Sequence, residues 1–270
     1  MTVSSDGYLT AVVHSDTASV LLIVNFTGAT GISAAHRVTV TRTTSADPAP
    51  VTVRGLDAAR APGGITPGFD HEAPGGQVCT YVASCTNVAG TVIVTSSLAT
   101  ATVDLPFVAA QCWLKSLATP ALSMLVSVMG WPAWAAPIGQ STSWVIGREN
   151  PVVRSDVRGG EAGALVVKLR TSSDVAAMLA LTVSSGPYLL QAQGFAEPDR
   201  YVSIAATGRS RLSLRADDVV QPFSLPLQVV DRPATPGARV AIPGHTLADS
   251  ARRWPTLADR AGTLLDRVVT

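Results

Sequence analysis

The densest group of side chains that could do chemistry is Asp70-His71-Glu72, directly before a Pro-Gly-Gly turn. In an extended strand, alternate side chains point to opposite faces, so Asp70 and Glu72 share a face and His71 points away from both. This arrangement separates the imidazole from either carboxylate. We therefore interpret the group as a solvated corner before the turn, with a calcium site that uses Asp70 and Glu72 as the alternative.

The rest of the sequence contains no recognisable catalytic constellation. It has no GxSxG, P-loop or HExxH motif, and His14, His36 and His245 are isolated from other potential catalytic or ligand residues. The sequence therefore predicts a protein that is not an enzyme. We expect no catalytic residue, no cofactor and no bound metal.

Three cysteines, Cys79, Cys85 and Cys112, include no CxxC pair of the kind that zinc and thioredoxin-type sites use. Cys79 and Cys85 lie in one predicted strand, where a separation of six residues spans ~20 Å. A disulfide needs Cα atoms within ~7 Å, which excludes this pair. We expect all three thiols to be reduced and partly buried.

Two tryptophans, Trp131 and Trp134, are separated by Pro-Ala in an apolar segment. Such a pair could stack on a sugar ring, contact a neighbouring subunit or pack into the protein's own core. The sequence leaves all three interpretations open. Trp131 and Trp134 are thus the candidate interface or glycan-contact residues.

The composition excludes several classes of protein. Hydrophobic residues make up 47% of the 270-residue chain, charged residues 14%, and the net charge is +1. Low charge with this apolar content argues against disorder, and the absence of a basic excess argues against nucleic-acid binding. The most apolar stretch, 118–138, is interrupted by prolines and a glycine, whereas a membrane span needs ~20 apolar residues. The first residues have no features of a secretion signal.

Residues 1–105 are predicted to be a sandwich of short β-strands, because β-branched runs alternate with Pro-Gly and Asn-Gly-type turns. The segment 73–83, which contains Tyr81, resembles the penultimate strand of fibronectin type III and related immunoglobulin-like domains. The resemblance implies an immunoglobulin-like fold. The region contains no tryptophan, although such domains usually carry one in their core.

Residues 106–233 are predicted to be a second β-rich domain that folds independently and contains one helix. Ser172 or Ser173 can cap this helix, and Val175, Met178, Leu179 and Thr182 form an apolar stripe at helical spacing. Residues 234–270 differ, because Thr-Leu-Ala-Asp occurs at 246–249 and again at 256–259. We interpret this last segment as a short helical tail, with a frayed tail and a chance repeat as the alternative.

Several loosely defined motifs follow one another through the second region. They include Trp113-Leu-Lys-Ser-Leu117, Ile146-Gly-Arg-Glu-Asn-Pro-Val-Val153 and Ser185-Gly-Pro-Tyr-Leu-Leu-Gln191. In this order they resemble minor tail proteins of phages that infect actinobacteria. The order of strands and helix is similar to the β-sandwich of distal tail proteins, which share the tail-tube fold and form rings that join tail tube to tip.

The resemblance implies a structural, non-enzymatic component of a siphophage tail tip. It implies a homo-oligomeric ring, with six-fold symmetry, that contacts the tail tube and the tail-tip hub. Its location would be the virion, after assembly in the host cytoplasm. A separate physical argument for assembly is that the predicted strands 164–167 and 223–230 carry little charge to protect a free sheet edge.

Two other functions remain as alternatives. The first is a carbohydrate- or receptor-binding adhesin, which would touch a host-surface glycan through the immunoglobulin-like domain or through Trp131 and Trp134. The second is a secreted cell-wall hydrolase, for which the sequence has neither a secretion signal nor a catalytic group.

Overall fold

The computed structural model describes residues 1–33, 36–103, 110–144, 146, 149–184, 186–192, 197–210 and 220–234. The prediction of a mainly β protein with one helix is confirmed for this part of the chain. Met1–Pro233 is one compact unit. The predicted helical tail and the predicted boundary at 105/106 lie outside the described residues. No helix in the described ranges has the length and apolarity that crossing a membrane requires.

The described part of residues 1–103 contains ten strands and one 3-10 turn at Pro62–Gly64. The strands are β1 (Thr2–Val3), β2 (Leu9–His14), β3 (Ser19–Asn25), β4 (Arg37–Thr44), β5 (Val51–Thr52), β6 (Ala59–Arg60), β7 (Ile65–Asp70), β8 (Val78–Thr86), β9 (Val92–Thr95) and β10 (Ala99–Thr102). They form two antiparallel sheets: one is ordered β1-β2-β3-β7, and the other is ordered β10-β8-β4-β5, with β6 paired to β4 and β9 paired to β8.

One apolar core lies between these two sheets. Strand alternation places every second side chain inward, so Leu22 and Val24 of β3 pack against Val40 of β4 and Tyr81 of β8 within one buried cluster. Trp113, which belongs to the following region, completes the same cluster. The sandwich therefore depends on a residue beyond its own last strand.

The second region contains nine strands, one helix and a 3-10 turn at Pro120–Leu122 among its described residues. The elements are β11 (Gln111–Ser116), β12 (Met124–Gly130), β13 (Ile138–Ser143), β14 (Val152–Arg158), β15 (Ala162–Leu169), α1 (Ser172–Val183), β16 (Tyr188–Gln191), β17 (Arg200–Ile204), β18 (Gly208–Arg209) and β19 (Gln221–Val229). A second apolar core draws on most of these elements.

Six of these strands close into an antiparallel barrel. The order is β15-β12-β11-β16-β17-β19, and β19 pairs back with β15 over eight residue pairs from Ala162↔Gln228 to Leu169↔Gln221. The described part of this region is therefore built around a closed six-stranded barrel, where the resemblance implies a β-sandwich. The expectation of free edges at 164–167 and 223–230 was wrong, because these two strands satisfy each other's backbone groups.

The helix α1 confirms the predicted element but not its details. Thr171, and not Ser172 or Ser173, is the N-cap: its hydroxyl accepts from the Asp174 amide at 3.0 Å, and the Asp174 carboxylate accepts from the Thr171 amide at 3.0 Å. This reciprocal pair is a capping box. It leaves both serines inside the first helical turn.

The apolar face of α1 also differs from the predicted stripe. Val175, Met178 and Leu181 are buried in the second core, whereas Leu179 is 41% exposed. The buried residues therefore recur every three positions along α1. The predicted burial of Leu179 was therefore wrong.

The β13–β14 hairpin belongs to neither the sandwich nor the barrel. Its two strands form a separate antiparallel sheet, with a bulge near Ile138. Beyond the end of β13, the side chain of Trp144 is 72% exposed and that of Ile146 is fully exposed. The hairpin thus presents apolar side chains to solvent.

Candidate functional site

Asp70 is the centre of a buried polar network where the sandwich meets the barrel. It is the last residue of β7 and is 1% exposed. Nη1 of Arg42 donates to both of its carboxylate oxygens, at 2.8 and 2.6 Å, and the Tyr81 hydroxyl donates to Oδ2 at 3.0 Å. The backbone amide of Glu72 donates to Oδ1 at 3.0 Å. Asp70 therefore joins three segments of the sandwich.

Glu72 holds a second set of charge-assisted hydrogen bonds. Its Oε1 accepts from Nε and Nη2 of Arg54, at 3.2 and 2.9 Å, and its Oε2 accepts from Nη2 of Arg232 at 2.5 Å. Arg54 also donates to the carbonyl of Pro233, and Arg232 to that of Thr52. Arg232 follows β19, so Glu72 ties the chain leaving the barrel to the sandwich.

The prediction of a solvated corner at Asp70 and Glu72 was wrong, because both carboxylates are buried and paired with arginines from distant parts of the chain. Every carboxylate oxygen of the two residues already accepts a hydrogen bond. Across the described ranges, no group of three or more His, Cys, Asp or Glu could hold a metal. The calcium alternative therefore has no open oxygen ligands here.

Two barrel residues donate directly to backbone carbonyls of the sandwich. Nζ of Lys115, on β11, donates to the carbonyls of Ala18 at 2.5 Å and His71 at 2.9 Å. Nε2 of Gln191, at the end of β16, donates to the carbonyl of Ala73 at 3.0 Å. Lys115 is 0% exposed. These bonds fix the barrel against the turn that follows Asp70.

Burial and charge shift the pKa values of several groups at this joint. Burial lowers the pKa of Lys115 to about 8, although Asp70 and other carboxylates act in the opposite direction. Burial also acts to lower the pKa of Arg42, but the charge of Asp70 and its hydrogen bonds together outweigh burial, and the pKa rises above its usual range. The pKa of Tyr81 is raised, first by burial and then by Asp70. Tyr81 therefore remains a neutral hydrogen-bond donor.

A cleft of about 180 Å³ opens beside this network. The sandwich contributes residues of β4, of β5, of the segment between them and of the turn after β7. The barrel contributes residues of β16, of β17 and of the segment just before β17. The lining residues are Arg42, Thr44, Asp47, Ala49, Val51, Glu72, Pro74, Leu189, Asp199 and Tyr201. The cleft is a concave surface of a size that suits a small molecule.

The predicted contact residues Trp131 and Trp134 lie elsewhere, at the rim of the barrel. Both are partly buried and pack against the second core. The Arg200 guanidinium lies 4.7 Å from the centre of the Trp134 ring, in a cation–π contact. The structure therefore places both tryptophans against their own chain and occupies one face of Trp134.

The three cysteines are free, as the sequence predicts, but they are fully buried and not partly buried as expected. Burial raises the pKa of Cys79 to about 11 and that of Cys112 to about 12. Both thiols therefore stay protonated near neutral pH and are poor nucleophiles.

Sequence reasoning did not find Arg42, Lys115, Gln191 or Arg232 as parts of one site. The residues that each of them contacts are far away in the chain, so no local motif connects them. Lys115 carried the clearest signal, because it interrupts the apolar run Cys112-Trp-Leu114 with a charge. A lysine in such a position requires buried acceptors.

Comparison with models of protein families gave no match for this chain, and comparison with curated proteins gave none either.

Proposed function

We propose that the chain is a non-enzymatic structural subunit of a bacteriophage tail tip. In this proposal it forms a six-fold ring that joins the tail tube to the distal tip complex, and it is part of the virion after assembly in the host cytoplasm. Residues 1–105 would be an immunoglobulin- or fibronectin-III-like domain, and residues 106–233 a distal-tail-like domain. The ordered resemblance of the second region to minor tail proteins motivates the phage assignment.

The strand partition of the sandwich supports the immunoglobulin-like part of this proposal. If β2, β3 and β7 are taken as strands A, B and E, then β4, β8 and β10 correspond to C, F and G. Immunoglobulin-like domains divide their strands between the two sheets in this way. Tyr81 then lies on strand F, as the sequence resemblance implies.

The β13–β14 hairpin carries the argument for a subunit interface. A two-stranded hairpin is marginally stable by itself in water, and this one presents Trp144 and Ile146 to solvent. Contact with a neighbouring subunit would bury these side chains. Because the barrel strands are paired with one another, the hairpin, and not a barrel edge, is the surface that favours assembly.

The proposal is tested by the mass and shape of the purified chain, measured by light scattering and electron microscopy. Wild-type protein should form rings, and a variant that combines Trp144→Ser with Ile146→Ser should remain monomeric. Val88→Ser is the matched control, since Val88 is 82% exposed in a turn of the sandwich. Imaging of the virion then counts copies around the tail axis. Rings formed equally by the double variant, a single copy, or a location in the capsid would contradict the proposal.

The alternative function, a carbohydrate- or receptor-binding adhesin, has less support from Trp131 and Trp134. Both rings pack on the barrel, and Arg200 covers one face of Trp134. Binding of the purified chain to a glycan array, lost on Trp134→Ala but retained by the hairpin variant, would favour the adhesin over the ring.

A further inference from the structure

The helix α1 presents an apolar face to solvent. One side of the helix packs on the barrel, and the helical repeat places Ala176, Leu179, Ala180 and Val183 together on the opposite side. All four residues are exposed, and the side chain of Val183 is 83% exposed. The outward side of α1 therefore adds apolar surface to the protein at a second place, besides the β13–β14 hairpin.

The composition of α1 is that of a helix covered on all sides. A surface helix normally carries charged or polar residues toward solvent, whereas a helix that is apolar all round is normally buried. After Asp174, which belongs to the capping box, α1 contains no charged residue, and Thr182 is its one polar side chain. The outward side of α1 is therefore suited to an apolar and uncharged partner.

The β13–β14 hairpin has a face of the same character. Val153 is 52% exposed and lies opposite Thr142, so the two side chains share a face of the hairpin. Trp144, which is exposed, is two residues beyond Thr142. None of these three residues is charged. Because an isolated two-stranded hairpin is only marginally stable, packing against a helix is one of the ways in which it becomes stable.

The two surfaces also match in size. The 12 residues of α1 form a helix that is ~18 Å long and ~10 Å wide. The strands β13 and β14 contain six and seven residues, so each spans ~20 Å, and two neighbouring strands with their side chains are about as wide as one helix. One helix of this length therefore covers one face of the hairpin from end to end.

We propose that the hairpin of one copy packs on α1 of the next copy, with Val153 and Trp144 against Leu179 and Val183. Both surfaces are exposed in the same chain, so they do not cover each other within one copy. This inference rests on the ring proposed above and names the second surface that such a ring needs. A cyclic ring joins two different surfaces of each copy, and the hairpin supplies only one of them.

The size of the contact favours a closed assembly over a dimer. A footprint of ~18 by ~10 Å is well below the ~800 Å² that each partner buries in a standard interface. A single contact of this kind therefore holds two copies weakly. In a closed ring each copy makes the contact twice, once through its hairpin and once through its helix, and no apolar surface of either kind is left at an end.

Cross-linking between two single variants of the full chain tests the contact. Thr142→Cys and Ala180→Cys proteins are mixed, treated with a short bismaleimide and separated under denaturing conditions. The protein's own thiols are buried and their pKa values are raised, so they react poorly. A dimer that contains one copy of each variant should make up most of the product. Val88→Cys mixed with Ala180→Cys is the control and should give no dimer.

The composition of the product separates the possible partners. Dimers formed by Thr142→Cys alone would mean that hairpins meet one another, and dimers formed by Ala180→Cys alone would mean that helices do. Either result in place of the mixed dimer would contradict the proposed contact. Absence of any dimer would mean that α1 is covered by a different protein, and the inference would again be wrong.

A second measurement separates this inference from the ring itself. A variant that combines Leu179→Ser with Val183→Ser changes only exposed side chains, so it should keep the thermal unfolding midpoint of wild type but lose ring formation. Mixing it with the Trp144→Ser, Ile146→Ser variant should restore dimers and no rings, because each supplies one surface that the other lacks. Rings formed equally by the helix variant would contradict the inference and leave the ring proposal standing. Mixed cross-links in assemblies that never close would contradict the ring and leave the contact standing.

Discussion

Lys115 carries a positive charge where solvent does not reach, and this has a measurable consequence for stability. Its pKa is about 8 in the folded protein against 10.5 for an ordinary lysine. Below pH 8 both the folded and the unfolded chain hold the proton. Between pH 8 and 10.5 the unfolded chain holds more protons, so the free energy of unfolding gains a contribution that rises with pH.

We expect this contribution to total about 3 kcal/mol between pH 8 and 10.5. Denaturant unfolding of wild type and of Lys115→Met is measured over this pH range. The contribution of Lys115 is the pH-dependent part of the difference in the free energy of unfolding between the two proteins. The raised pKa values of Cys79 and Cys112 lower stability over the upper part of the range, but they are common to both proteins and cancel. A difference that does not change with pH would contradict the low pKa of Lys115.

Asp70 should be among the least replaceable polar residues of the chain. Asp70→Asn leaves the guanidinium of Arg42 buried without a countercharge, and breaking a buried pair in this way costs ~3–5 kcal/mol. Asp16→Asn is a matched control at an exposed aspartate and should change the free energy of unfolding by less than ~0.5 kcal/mol. Equal effects of the two substitutions would mean that the Arg42–Asp70 pair is not formed in solution.

Sequence alone identified Asp70 and Glu72 as a polar cluster but assigned it to the surface. The reason is that a carboxylate is buried only if a cation reaches it, and here the cations come from residues 28 positions before Asp70 and 160 positions after Glu72. Spacing along one strand does not contain this information. The absence of a disulfide between Cys79 and Cys85 was easier to predict, because their separation within β8 depends only on local geometry.

At the scale of elements, substitutions in α1 test which of its side chains the barrel core requires. Leu181→Ala should cost ~2–5 kcal/mol, because Leu181 is fully buried. Leu179→Ala removes the same atoms from a half-exposed position and should cost well under ~1 kcal/mol. Thermal or urea unfolding of both variants measures the difference. A larger loss of stability for Leu179→Ala than for Leu181→Ala would instead support the predicted apolar stripe through Leu179.

The existence of most strands and of the helix followed from hydrophobic periodicity, whereas their pairing did not. Barrel closure depends on β15 meeting β19, whose paired residues lie more than 50 positions apart in the sequence. Low charge in both strands was compatible with exposed edges or with mutual pairing. Only the observed pairing of β15 with β19, from Ala162↔Gln228 onward, distinguishes exposed edges from mutual pairing.

At the scale of the molecule, the sandwich and the barrel have separate apolar cores, and residues of the barrel contribute to the sandwich at their joint. Trp113 lies in β11 of the barrel but packs into the core of the sandwich, and Lys115 and Gln191 donate to sandwich carbonyls. If residues 1–105 were an independent domain, their isolated form would lack all three contributions. The geometry therefore favours unfolding of Met1–Pro233 as a cooperative unit over the independent folding that the sequence predicts.

Native-state hydrogen exchange of wild type and Leu181→Ala separates these two outcomes, because the most protected amides report the free energy of global unfolding. Leu181 lies in the second core only. If the joint couples the two cores, the substitution should lower the protection of the β8 amides of Cys79 and Tyr81 by the same free energy as that of Leu189 in β16. Loss of protection confined to β16 would show that the sandwich unfolds separately. In that case the contacts of Trp113, Lys115 and Gln191 would position the two halves without stabilising the sandwich, and residues 1–105 would be expected to fold alone.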